Sequence, residues 1–192
     1  MSVVVLDGMS EKNCIEEKLR LILDEEVDSV SYFNLKDMNI MPCRCCETCN
    51  YKTPGRCIIK DDMTEVLKAI ARCNMLVWVT PITFGGYSSQ LKKAMDRLVV
   101  MGLPLFFVKD GHLLHPMRYY KTSLLGIGWI ENHSQTQEEN FKTLVERNAL
   151  NMQSPHKSLV FTSADEIKTI ENEISNAVKE VYPLCLKRDY SL

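Results

Sequence analysis

Residues 75–97 read MLVWVTPITFGGYSSQLKKAMDR. The opening run, MLVWVT, is apolar at successive positions and rich in β-branched residues, as in a strand covered on both faces. Pro81 ends it, because a proline cannot donate to a sheet ladder. Gly85 and Gly86 allow the backbone to come close to a neighbour or ligand. From about residue 90 to residue 100 the apolar positions recur at helical spacing. A doubly covered strand, a glycine-containing loop and a helix make half of a βαβ unit.

The same alternation continues in both directions. Residues 2–7 (SVVVLD) form a short apolar strand ended by Gly8. Residues 13–25 place Ile15, Leu19, Ile22 and Leu23 on one helical face, and residues 30–35 (VSYFNL) read as a second strand. Asp61 or Asp62 can cap a helix carrying Met63, Val66, Leu67 and Ile70, with Glu65 placed for a capping box. Beyond an apolar connector, residues 121–128 (KTSLLGIG) form a fourth strand, 137–152 a helix, 158–162 (SLVFT) a fifth strand and 164–182 the last helix. Five strands, each followed by a helix, predict an α/β three-layer fold: a parallel sheet with right-handed crossovers and helices on both faces. Repeats and linkers are absent from the sequence, so residues 1–192 read as a single domain. Ligands of such sheets bind at the carboxyl ends of the strands. Residues 8–13, 81–89 and 126–134 are therefore the candidate loops.

Composition narrows the function. With 45% hydrophobic and 25% charged residues and a formal net charge of −2, the chain resembles a soluble protein with no broad pull toward nucleic acid or an anionic membrane. The N-terminal apolar run is too short for a membrane span or signal peptide, which predicts a cytoplasmic protein in which structural disulfides are rare.

The first loop, DGMSEKN, joins a strand to a helix N-terminus, where backbone N–H groups and the helix dipole suit a phosphate. Ser10 and Asn13 add polar side chains and Lys12 adds a positive charge, although Ser10 could equally serve as a plain helix cap. Neither GxxxxGKS nor GxGxxG occurs, which excludes an NTPase P-loop and argues against a Rossmann dinucleotide site. In the second loop, Pro81, Thr83, Phe84, Tyr87 and the two glycines could contact a planar heterocycle, or they could form only a turn and a helix start. Asp96–Arg97 reads either as a helical charge pair or as a pair packed against the sheet.

The segment VTPITFGGYSSQLKKAMDR resembles the signature of the NADPH-dependent FMN reductase family of flavodoxin-like proteins. IMPCRCCETCNYKTPGRCIIKDDM resembles the cysteine-rich loop and DDM of that family's iron–sulfur flavoprotein branch. VVVLDGMSEKN resembles its phosphate loop, and LLGIGWIEN lies where its third flavin loop falls. The resemblance implies a flavodoxin-like sheet of order 2-1-3-4-5 with FMN at its carboxyl edge. It assigns Ser10, Lys12 and Asn13 to the phosphate loop, Pro81, Ile82, Thr83, Phe84 and Gly85 to the isoalloxazine site, and Gly126 and Gly128 to the third loop. It also suggests a homodimer or homotetramer. Three departures stand out: a phosphate loop with no arginine and an added carboxylate at Glu11, Thr83 where tyrosine is common, and bulky Trp129-Ile130-Glu131 after Gly128.

Five of the eight cysteines fall between Pro42 and Cys57. Cys43, Cys46, Cys49 and Cys57 are spaced C-x2-C-x2-C-x7-C, which agrees with the compact motif of iron–sulfur flavoproteins and lets three thiolates wrap one [4Fe-4S] cubane. Zinc would accept four thiolates but prefers two paired knuckles. Free or redox-active thiols are the third possibility, and Cys45 is surplus to any four-ligand site. Cys14, Cys73 and Cys185 read as buried structural residues. His112 and His115, with no accompanying ligand motif, read as loop or partner-contact residues, and the connector around them reads as a subunit interface or as core.

The expected function is an FMN-binding oxidoreductase in which NAD(P)H reduces FMN and the electrons pass to a quinone, flavin or similar acceptor. A second mechanism has FMN and a cluster on Cys43, Cys46, Cys49 and Cys57 exchanging electrons with a ferredoxin-like donor. A third reading is a non-catalytic flavodoxin-like binding or redox-sensing domain.

Overall fold

The computed structural model describes residues 2–119 and 122–185. In chain order the elements are β1 (Ser2–Asp7), α1 (Cys14–Glu26), β2 (Ser29–Asn34), a four-residue helix α2 (Thr48–Tyr51), α3 (Met63–Ile70), β3 (Met75–Pro81) and α4 (Ser89–Asp96). They continue with β4 (Phe107–Lys109), β5 (His112–Leu114), β6 (Ser123–Ile130), α5 (Gln135–Met152), β7 (His156–Thr162) and α6 (Ile167–Val181). The long strands pair in the order β2-β1-β3-β6-β7, all parallel. This is the expected 2-1-3-4-5 order, counted over the five main strands.

Strand periodicity divides the core in two. Val3, Val5, Met75, Val77, Val79, Leu125 and Ile127 pack under α1 and α6 with Ile15, Leu19, Ile174 and Val178. Val4, Leu6, Leu76, Trp78 and Leu124 face the other way, under α3, α4 and α5, with Val66, Leu91, Phe141 and Val145. Side chains alternate across each strand, so two buried faces demand the unbroken apolar runs seen in the sequence.

Three local expectations are corrected. The capping box at residues 61–65 does not form: Glu65 pairs with Lys68, while Asp61 Oδ1 accepts from the Met63 amide. The helix expected over 90–100 ends at Asp96 and tightens into a 3-10 turn, Arg97–Met101. The apolar connector contains a hairpin, β4–β5, whose turn places Asp110 and Gly111 at φ +50° and +78°. An Asp-Gly pair in left-handed conformation is the usual requirement of a two-residue hairpin turn. His115 stabilises it: Nδ1 lies 2.9 Å from the Leu103 carbonyl and 2.8 Å from that of Leu105, so this nitrogen carries the proton. Cys73 is buried as expected, whereas Cys14 is only half-buried. The side chain of Cys185 and residue 121 lie outside the described residues. No helix among the described residues is long and apolar enough to cross a membrane.

Candidate functional site

A cleft of about 600 Å³ opens at the carboxyl edge of the sheet, lined by Met9 to Asn13 from the first loop, Pro81 and Ile82 from the second, and Trp129 to Asn132 and Gln137 from the third. Its volume falls in the range of small-molecule sites, roughly 300–1,000 Å³. The parallel register explains the convergence. Asp7 is level with Val79, and Pro81 with Trp129, so loops far apart in sequence leave the sheet side by side.

At one end lies the N-terminus of α1. Asn13 caps it, its Oδ1 accepting from the amides of Ile15 (3.0 Å) and Glu16 (3.3 Å). The other half of that amide, Nδ2, is buried with no partner among the described residues. A buried donor lacking an acceptor is costly. Here it borders the cleft beside exposed Ser10 and Lys12, and the dipole of α1 adds positive potential. These donors suit an anion such as a flavin phosphate, with the Glu11 carboxylate lining the same end as a counterweight. Below the loop sits Asp7, which is 2% exposed. Its Oδ1 accepts from the Met9 amide (2.9 Å) and its Oδ2 from the Tyr32 hydroxyl (2.7 Å). Burial pushes the Asp7 carboxyl above the usual range, outweighing these two hydrogen bonds.

The second loop is a tight turn. Thr83 and Gly86 exchange backbone hydrogen bonds of 3.0 and 2.9 Å, with Phe84 at φ +50° and Gly85 at φ +76°. The left-handed conformation suits Gly85 but strains Phe84, whose ring is 96% exposed at the tip. Gln137 Oε1 accepts from the Gly85 amide at 3.2 Å and ties the turn to α5. Pro81 and Ile82 line the cleft; Thr83, Phe84 and Gly85 project beyond it.

Gly126 and Gly128 lie inside β6, beneath α5. A Cβ on Gly126 would stand 2.7 Å from Val145 Cγ2, and one on Gly128 2.8 Å from Ile82 Cδ1. Both glycines admit the close approach of α5 and Ile82, while the wall of the cleft is carried by Trp129 and the residues after it.

A second cleft, about 640 Å³, is lined by Cys43, Cys45, Cys46, Cys49 and Cys57 together with Arg97, Lys92 and Phe106. None of the five cysteines is in a disulfide. Burial pushes the Cys43 and Cys49 thiols up, whereas the Thr48 hydroxyl and amide pull that of exposed Cys46 down. Among the described residues, no group of three or more His, Cys, Asp or Glu is arranged to hold a metal ion. A four-iron cluster would bind each of four thiolates through a different iron, and Cys43, Cys46, Cys49 and Cys57 line the cleft among Arg44, Glu47, Lys92 and Arg97.

Arg97 and Asp61 frame this second site and were not identifiable as a pair from spacing. They are buried, 1% and 2% exposed at their side chains, with Arg97 Nη1 2.5 Å from Asp61 Oδ2. Asp96, the neighbour of Arg97, instead pairs on the surface with Lys92. Asp7, Tyr32 and Gln137 were likewise missed: the pairing of β1 with β2 brings Tyr32 to Asp7, and α5 carries Gln137 to the second loop.

The sequence profile of the NADPH-dependent FMN reductase family matches residues 1–164. Among curated proteins, the chain is similar to an iron–sulfur flavoprotein of Methanocaldococcus jannaschii, 36% identical over 83 residues, which is 43% of this chain and 42% of the relative. It is also similar to one of Archaeoglobus fulgidus, 32% identical over 100 residues, covering 50% and 49% of the two chains. The chain thus spans about half the length of the curated relatives it matches. The fold is similar to that of a Bacillus anthracis FMN-dependent NADH-azoreductase in complex with FMN (TM-score 0.65, 12% identity, 94% and 99% coverage). It is equally similar to that of a Methanothermobacter marburgensis NAD(P)H:quinone oxidoreductase (TM-score 0.65, 13% identity, 96% and 98% coverage). The profile match covers most of the chain and agrees with the sheet order and the carboxyl-edge cleft: this chain belongs to the NADPH-dependent FMN reductase family.

Proposed function

We propose that the chain is an oxidoreductase that binds FMN in the carboxyl-edge cleft and takes reducing equivalents from NAD(P)H for a quinone, flavin or similar acceptor. The observation that carries this reading is the convergence of three loops on one cleft whose anion end holds the unpartnered Asn13 Nδ2. When bound, FMN supplies the hydride and electron chemistry. Asn13, Ser10, Lys12 and the first amides of α1 would hold its phosphate. Pro81, Ile82 and the face of Trp129 would enclose its ring system and exclude water. Gln137 would keep the second loop in place through the Gly85 amide.

A second reading is favoured by the five cysteines that line one cleft with Arg97. Here Cys43, Cys46, Cys49 and Cys57 hold a [4Fe-4S] cluster, and a ferredoxin-like protein donates or accepts electrons. The names of the curated relatives support it.

The test is anaerobic purification with flavin, iron and sulfide assayed on one sample, followed by mixing with NADPH, NADH or reduced ferredoxin. Bound FMN that is reduced rapidly by a nicotinamide supports the first reading. Bound FMN with about four irons per chain, reduced faster by ferredoxin, supports the second. A protein that neither carries nor takes up FMN overturns both and leaves a binding or redox-sensing domain.

A further inference from the structure

Arg97 makes unusual use of its guanidinium. Nη1 donates to Asp61 Oδ2 and to the Met41 carbonyl at 3.2 Å, and Nη2 donates to the Ile59 carbonyl at 3.3 Å. Met41 lies just before the cysteine loop, and Ile59 lies two residues after Cys57. One side chain therefore ties both flanks of the loop to the end of α4. Asp61 completes the clamp, since its Oδ2 also accepts from the Met41 amide at 2.8 Å.

Arg97 Nε is buried and has no hydrogen-bond partner among the described residues. A charged donor at 1% exposure without an acceptor costs more than a neutral one. Arg97 lines the same cleft as Cys57, and nothing is wasted if a sulfur accepts this bond. Burial alone would disfavour the charged guanidinium; its hydrogen bond to Asp61 offsets that cost.

We propose that Arg97 is the positioning residue of the cysteine site, anchoring both flanks of the loop and offering its buried, unpartnered Nε–H to the sulfur of Cys57. The planar fork makes this possible. Lysine would bring its donors to one point and could not serve two carbonyls, a carboxylate and a sulfur in divergent directions. The inference rests on the second reading only in so far as the sulfur is a cluster ligand; the hydrogen bond itself requires only Cys57.

Two readouts separate these claims. In reduced, metal-free protein the Arg97 Nε–H NMR resonance, assigned by its loss in Arg97→Lys, shifts in Cys57→Ala and stays in place in Cys45→Ala. In reconstituted protein, Arg97→Lys lowers the ratio of reduced to oxidised cluster about tenfold at a fixed potential, equivalent to about 59 mV for one electron. The direction follows because hydrogen bonds to cluster sulfurs stabilise the more negative, reduced state. The ratio is read only on cluster that assembles, so poorer loading of the variant does not mimic the effect. A resonance indifferent to Cys57→Ala overturns the proposal. A wild-type protein that assembles no cluster, but whose resonance responds to Cys57→Ala, overturns the cluster reading and supports the role of Arg97.

Discussion

The Ser88 hydroxyl donates to the Gly8 carbonyl across 2.8 Å while accepting the Leu91 amide at 3.2 Å. One side chain thereby caps α4 and joins the second carboxyl-edge loop to the first, eighty residues away in sequence. The join is tight: a Cβ on Gly8 would stand 2.7 Å from Ser88 Oγ. Replacing Ser88 with alanine removes a cap and a partly buried hydrogen bond together. Ser88→Ala should destabilise the protein by about 1–2 kcal/mol and weaken FMN binding. Urea unfolding and a flavin titration check the two effects, and unchanged values in both would contradict the link.

Gly126 tests the assignment of the β6 glycines to packing. Val145 is β-branched and stiff, so it cannot swing clear of a new methyl group 2.7 Å away. Gly126→Ala should cost about 1–3 kcal/mol by overpacking. A neutral effect on the denaturation midpoint would show that α5 has room to move.

Asp7 gives a pH dependence. Its pKa is raised in the fold above the ordinary 3.8, so the native state holds this proton more tightly than the unfolded chain does. Its contribution to stability is complete below 3.8 and is lost as pH rises through the raised value. Asp7→Asn, which keeps a polar group beside Tyr32 and carries no charge, should abolish that decline. Thermal melts of both proteins across mildly acidic to neutral pH measure it; parallel curves would contradict it.

The cysteines should differ in reactivity. Cys46 is exposed and its thiol is pulled down by Thr48, whereas burial pushes Cys43 and Cys49 up. Because the thiolate is the nucleophile, iodoacetamide at neutral pH should label Cys46 of the metal-free protein before Cys43 or Cys49. Thr48→Val should slow that labelling. Peptide mass spectrometry gives the order, and first labelling at buried Cys49 would contradict it.

The sheet was legible in the sequence because each central strand is buried on both faces and so writes its core as an unbroken run, as in MLVWVT. The hairpin was legible in principle from Asp110-Gly111, but its short flanking strands sit among apolar residues that also suit an interface or a core. The anion end of the cleft could be read from DGMSEKN, since a strand-to-helix turn carries its own chemistry. Asp7–Tyr32 and Asp61–Arg97 could not, because each pair is made by tertiary packing. Asp96 and Arg97 are adjacent and similar in character, yet one points to solvent and the other into the molecule. The β6 glycines show the same limit, since a glycine that admits a helix and one that admits a ligand look identical in sequence.

The most direct test of the account is a titration of flavin-free protein with FMN and, in parallel, with riboflavin, followed by flavin fluorescence. The anion end at Asn13, Ser10 and Lys12 predicts that FMN binds at least about tenfold more tightly, the worth of a single charge-assisted hydrogen bond. Asn13→Ala should narrow the gap between the two affinities. Equal binding of FMN and riboflavin to the unaltered protein, or no binding of either, would contradict it.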